Sequence, residues 1–250
     1  MRWFYLALLF TALAAKGETQ TTASPADTIL AQETTLAKRV EGRTHIDNFE
    51  FRTKAPEIRI DGGIGFSRYD GPKKNIVHEE HWEKLPAPMQ ATFNQWASYA
   101  PDEPTGQQLF GDMFYRFFFV HELGHWMQDE VLIQRRDNAA KKAKENSGNH
   151  RWQYELGANR ISVAWWREQD PAYLTKLVTD MRAIQRKLPN PVPPGQDTQT
   201  FFTTQYMKLT EDPNAYGWLQ LQMVLVAYDE QPALTFQQAI DKLPMDNYDQ

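Results

Sequence analysis

The sequence predicts a mainly helical α+β domain, and three observations predict it. A short stretch, Glu57-Ile58-Arg59-Ile60-Asp61, alternates polar and apolar residues as a half-buried strand does, and a hairpin pattern follows it. From Pro86 onward, segment after segment carries apolar residues at helical spacing. Helix-start signals punctuate that second part: Asp170 before Pro171, and Thr235 three residues ahead of Gln238.

The elements follow in order. Met1-Arg2 and the apolar run from Trp3 to Ala15 have the charge, length and small residues of a secretory signal peptide, too short to span a membrane. The expectation is therefore an exported chain, periplasmic or secreted, with no transmembrane domain once residues 1–15 are removed; an uncleaved anchor is the other reading. There is no cysteine, so a core must hold the fold, and about 235 residues can supply one. Residues 16–45 are rich in Thr, Ala and Gln and poor in large apolar side chains, which predicts a flexible leader. One domain is expected over 46–250.

After the strand at Glu57, Gly62-Gly63 makes a break. Ile64 to Tyr69 and Asn75 to His78 then read as a hairpin turning at Asp70-Gly71. His78 and His81, three apart, form a possible second metal pair or two ordinary surface histidines. Pro86 to Ala100 reads as a helix with Met89, Phe93 and Trp96 at core spacing, and Thr105 or Gly106 opens the next one. A further helix starts at Tyr154. Asp170-Pro171 begins another that runs to about Lys187, and Pro189 to Gly195 is a loop. Helices are expected at Gln199–Lys208 and Pro213–Tyr228, and the last opens at Thr235.

His121-Glu122-Leu123-Gly124-His125 carries the chemistry. On a helix, histidines four apart share one face and can hold one metal ion, with the intervening glutamate placed to take a proton from water at the metal. The surroundings exclude an ordinary surface helix: Phe110, Phe114, Phe117, Phe118 and Val120 precede the motif, and Trp126 and Met127 follow it. Polar side chains buried there without partners would cost several kcal/mol. A catalytic zinc site takes three protein ligands, and His₂Glu is one known set. Asp129 lies about 12 Å along the axis from His121, and Glu130 is on another face. The third ligand must come from a later element.

Glu155 is the best candidate, on a helix whose small residues Gly157 and Ala158 let a second backbone approach that of Gly124. An N-terminal-turn carboxylate favoured by the helix dipole is the alternative role for it. Asn159 lies one turn on and offers an amide oxygen to a ligand histidine.

His121-Glu122-x-x-His125 followed by Glu155-x-x-x-Asn159 resembles the gluzincin type of zincin metallopeptidases. The resemblance implies one Zn²⁺ per chain held by His121, His125 and Glu155, with Glu122 as general base and Asn159 orienting a histidine. It also implies a zincin-like domain with a small N-terminal antiparallel or mixed sheet and the zinc site between two buried helices, where an edge strand receives a peptide or protein substrate. Many members carry aspartate where Asn159 stands and space their ligands more closely. Nothing beyond residue 168 matches. For the oxyanion of a tetrahedral intermediate, His150, Tyr154, Tyr206 and Tyr216 are the candidate donors. Zinc is read from ligand type, and neighbouring divalent metals suit such sites too.

The cations at Arg135, Arg136, Lys141, Lys142 and Lys144 are too few for a nucleic-acid partner in a chain of net charge −5. The expected function is zinc-dependent hydrolysis of peptide bonds. The alternative is a catalytically silent zincin-fold binding or structural protein with an intact metal site.

Overall fold

The computed structural model describes residues 24–43, 54–61, 66–103, 105–134 and 150–248. The signal-peptide segment 1–15 and the cation-rich segment 135–149 lie outside them. The elements are helices α1 (Pro25–Arg43), α2 (Gly71–Lys74), α3 (Ala87–Ala97), α4 (Gly106–Asp112), α5 (Phe119–Gln134), α6 (His150–Gln169), α7 (Pro171–Lys187), α8 (Thr198–Leu209), α9 (Pro213–Asp229) and α10 (Phe236–Tyr248), and strands β1 (Glu57–Ile60), β2 (Arg68–Tyr69) and β3 (Ile76–Glu79). A π-helical stretch, Met113–Phe118, joins α4 to α5. The chain is mainly helical with a small mixed sheet.

The sheet has the order β1-β3-β2. β1 runs parallel to β3, with Glu57 opposite Ile76, and β2 runs antiparallel to it, with Tyr69 opposite Val77. The expected hairpin is present. Its turn is widened by α2, a single helical turn that starts at Gly71 (φ 65°) and ends at the left-handed Asn75. β2 is an edge strand, so one side of its backbone is free to face α5.

Caps explain why most helices begin where the sequence says. The Asp170 carboxylate accepts the Tyr173 N–H at 3.0 Å with Pro171 in the first turn, and Asp212 accepts from Asn214 and Ala215. Thr235 and Gln238 exchange bonds, side chain to backbone in both directions, at 3.2 and 2.9 Å, which satisfies two otherwise orphaned N–H groups.

α5 and α6 are the axis of the fold. They pack along each other, with α7, α9 and α10 against α6 and α3 against α4. Gly124 fixes how close they come: a Cβ there would lie 3.0 Å from the Ala158 Cα. Aromatic rings fill the layer before the motif, where Phe110 stacks on Phe114 at 4.7 Å and Phe93 meets both edge-on.

The flexible leader is corrected in part. Residues 25–43 form α1, which packs on β1, α5 and the π stretch. Its buried residues Glu33, Leu36, Ala37 and Val40 stand at i, i+3, i+4 and i+7, a narrow stripe on one helix face. Composition hides that stripe because only two of the four are large and apolar. Arg43 also pairs with Glu168 at 2.5 Å and lies over the Trp165 ring. The folded unit therefore begins at least at Pro25. Among the described residues, no helix is long and apolar enough to cross a membrane.

Candidate metal centre

The motif lies on α5 and the expected third ligand on α6, both buried. His121, Glu122 and His125 are 3–7% exposed and Glu155 is 9% exposed. The ligand atoms of His121, Glu122 and His125 fall within 4.8 Å of one another, and among the described residues this is the group of His and acidic side chains with metal-binding geometry. From the facing helix, Glu155 Oε2 stands 3.3 Å from His121 Nε2 and 3.7 Å from His125 Nε2. Four-coordinate zinc with bonds of about 2.0–2.2 Å sets its ligand atoms roughly 3.3–3.6 Å apart. The two Glu155 distances lie at or just beyond that range, so the three side chains are close enough to share one ion.

Both histidines are held in one tautomer. His121 Nδ1–H donates to Asn159 Oδ1 at 3.0 Å, which leaves Nε2 directed at Glu155. His125 Nδ1–H donates to Gln128 Oε1 at 2.8 Å, and the Gln128 amide in turn donates to the Tyr154 carbonyl at 2.7 Å. Gln128 was not singled out in the sequence as a site residue. The signal was available, because a glutamine three positions after His125 lies on the same helix face. The Tyr154 ring stacks on His125 at 4.4 Å and 15°.

Electrostatics prepare the cluster for positive charge. Burial works against the His125 imidazolium, but the hydrogen bond and charge of Glu155 outweigh it and raise its pKa to about 9. Burial likewise works against the Glu155 carboxylate, and the two histidines overcome this and hold it well below the usual carboxylate range. Glu122 differs. Burial pushes its pKa up, and the two histidines and the Tyr69 N–H only partly offset this. That N–H, from the free side of edge strand β2, donates to Glu122 Oε2 at 2.7 Å. The sheet thus places the glutamate beside the histidines.

These groups open onto a cleft of about 240 Å³ whose wall also includes Tyr154, Tyr206 and Tyr216. The Tyr216 hydroxyl accepts a bond from Gln220 Nε2 at 2.8 Å and is also hydrogen-bonded to the Tyr206 hydroxyl. His150 opens α6, and its side chain lies outside the described residues. The possible second metal pair is not assembled. His78 Nδ1 binds Asp61 Oδ2 at 2.6 Å, while buried His81 caps the turn at Trp82–Lys84 by accepting the Glu83 N–H.

Compared with family models, with curated proteins and with solved structures, the chain finds no match.

Proposed function

We propose that this chain is an exported zinc-dependent peptidase. The observation that carries the reading is the approach of Glu155 Oε2 to within 3.3 and 3.7 Å of His121 Nε2 and His125 Nε2, with Glu122 beside them on the cleft wall. His121, His125 and Glu155 would hold the ion, with Asn159 and Gln128 fixing the imidazoles. Bound there, zinc would supply Lewis acidity toward a peptide carbonyl and lower the pKa of water.

The chain's own groups do the rest. Glu122, its pKa moved toward neutrality, takes the proton of the attacking water and delivers it to the leaving amine. The Tyr69 N–H holds that carboxylate in place, and Tyr154, Tyr206 and Tyr216 on the cleft wall are the candidate donors to the developing oxyanion. Edge strand β2 offers backbone groups for an extended substrate beside the site.

One observation favours the second reading, a silent binding protein: a Glu122 oxygen is already engaged by a backbone amide. Metal content of the wild type and of Glu155→Ala, followed by a peptide-library digest with wild type and Glu122→Gln, tests both. About one zinc per chain, lost in Glu155→Ala, and cleavage absent only in Glu122→Gln support the peptidase. Zinc without cleavage of any peptide supports the silent protein. Absence of zinc from wild type after reconstitution removes both.

A further inference from the structure

Three buried amides surround the metal group, one for each ligand side chain. Asn159 Oδ1 accepts the His121 N–H at 3.0 Å, and Gln128 Oε1 accepts that of His125 at 2.8 Å. The third amide belongs to Gln220 of α9, 8% exposed and on the wall of the cleft. Its Nε2–H donates to Glu155 Oε2 at 3.5 Å. That is the same oxygen that stands 3.3 and 3.7 Å from the two histidine Nε2 atoms. Gln220 lies beyond residue 168, in the part of the chain that the zincin resemblance leaves unmatched.

The direction of the amide follows from its neighbours. Nε2 also donates to the Tyr216 hydroxyl, one turn earlier on α9, at 2.8 Å, and that hydroxyl is hydrogen-bonded in turn to Tyr206 of α8. Turned over, the amide would set its carbonyl oxygen against the Glu155 carboxylate, two acceptors with no proton between them. The observed direction leaves Gln220 Oε1 without a partner among the described residues. An unsatisfied buried acceptor destabilises a fold, and an apolar side chain at 220 would avoid it. What the amide adds is a donor aimed at Glu155.

A neutral donor is the chemistry a carboxylate ligand needs. The glutamate side chain has several rotatable bonds, and holding its oxygen between two imidazoles costs rotamer freedom. A lysine or arginine in place of Gln220 would hold it too, but its charge would repel a bound cation. An amide N–H orients the oxygen and adds no charge. We propose, resting on the metal reading above, that Gln220 is the positioning residue for the third ligand, its N–H holding Glu155 Oε2 toward the histidines as Asn159 and Gln128 hold the imidazoles.

The test measures zinc affinity of the full-length protein by competition with a chelating dye, and the visible spectrum of its Co²⁺ form. Wild type, Gln220→Met, Glu155→Ala and the double variant are compared. Gln220→Met keeps the length of the side chain and removes the donor. It is expected to weaken zinc by about 10- to 100-fold and to move the cobalt absorption bands. In the Glu155→Ala background the same change is expected to alter affinity by less than about 2-fold, because the group it acts through is gone. Should Gln220→Met not fold, Gln220→Asn, which keeps the amide but withdraws it by one methylene, is expected to show the same loss. Wild-type affinity and spectrum in the variant, or an equal loss with and without Glu155, overturn the proposal and leave the metal reading standing. Failure of the wild type to take up either metal overturns both.

Discussion

Two pairs of buried carboxyl groups in this molecule have different neighbours, and only one of the four groups is lowered. Glu122 and Glu155 face two histidines, and Glu155 is pulled well below the usual carboxylate range. Glu33 on α1 and Glu79 on β3 face each other. Both Glu33 oxygens and one Glu79 oxygen have no hydrogen-bond partner among the described residues. Burial pushes both of these groups well above the usual range, the charge of Glu33 adding to the effect on Glu79, while the Ser67 hydroxyl offsets it in part. Burial is common to all four. What differs is whether histidines hydrogen-bond the carboxylate: both do so at Glu155 and outweigh its burial, whereas at Glu122 their charge offsets burial only in part. The first pair is arranged around two histidines, and burial favours the protonated form of the second.

The sharpest way to break this contrast is at Glu122. Glu122→Gln should lower peptide turnover by about 10²- to 10⁴-fold with zinc content unchanged, measured by fluorogenic assay and atomic absorption. Glu155→Ala should weaken zinc by at least the roughly 100-fold at the upper end of what outer residues cost, read by competition with a chelating dye. Unchanged affinity would mean that Glu155 is not a ligand. Asn159→Ala and Gln128→Ala should each cost about 10- to 100-fold in zinc affinity, although one partner comes from a different helix and the other from the same one.

Gly124→Ala tests the seam that delivers Glu155 to the histidines. A Cβ 3.0 Å from the Ala158 Cα should cost about 1–3 kcal/mol, a Tm loss of several degrees by calorimetry. The smallest effect is expected at the other pair. A carboxyl whose folded pKa is raised contributes its stability below the unfolded value of about 4.3 and loses it as pH rises toward the folded one. Glu33→Gln should therefore flatten the decline in Tm between pH 5 and 8, gaining on the order of 1 kcal/mol at the upper end. A decline equal to wild type would show that Glu33 is not the titrating group.

Local rules made much of this molecule legible. Capping residues at Asp170 and Thr235 act on the chain next to them, so α7 and α10 begin where the sequence places them. Spacing alone put His121 and His125 on one face of α5, and the alternation at Glu57–Ile60 marked β1.

The rest depended on contacts distant in sequence. α1 was hidden because its buried stripe gains stability only against β1 and α5. The π stretch at Met113–Phe118 fits an extra residue into the turn just before the motif, which rotates everything after it; no spacing rule shows that, because the packing of α6 decides it. Ser162 and Trp166 of α6 donate to the Phe117 and Arg116 carbonyls there. The sequence by itself determined which side chains can bind a metal and on which helices they ride. Only the tertiary structure decided that Glu155 stands 3.3 Å from His121, that a β2 amide holds Glu122, and that the Trp96 ring of α3 lies against Gly217 in the cleft wall. Periodicity acts over one turn of a helix, whereas those distances depend on how closely two backbones can pack.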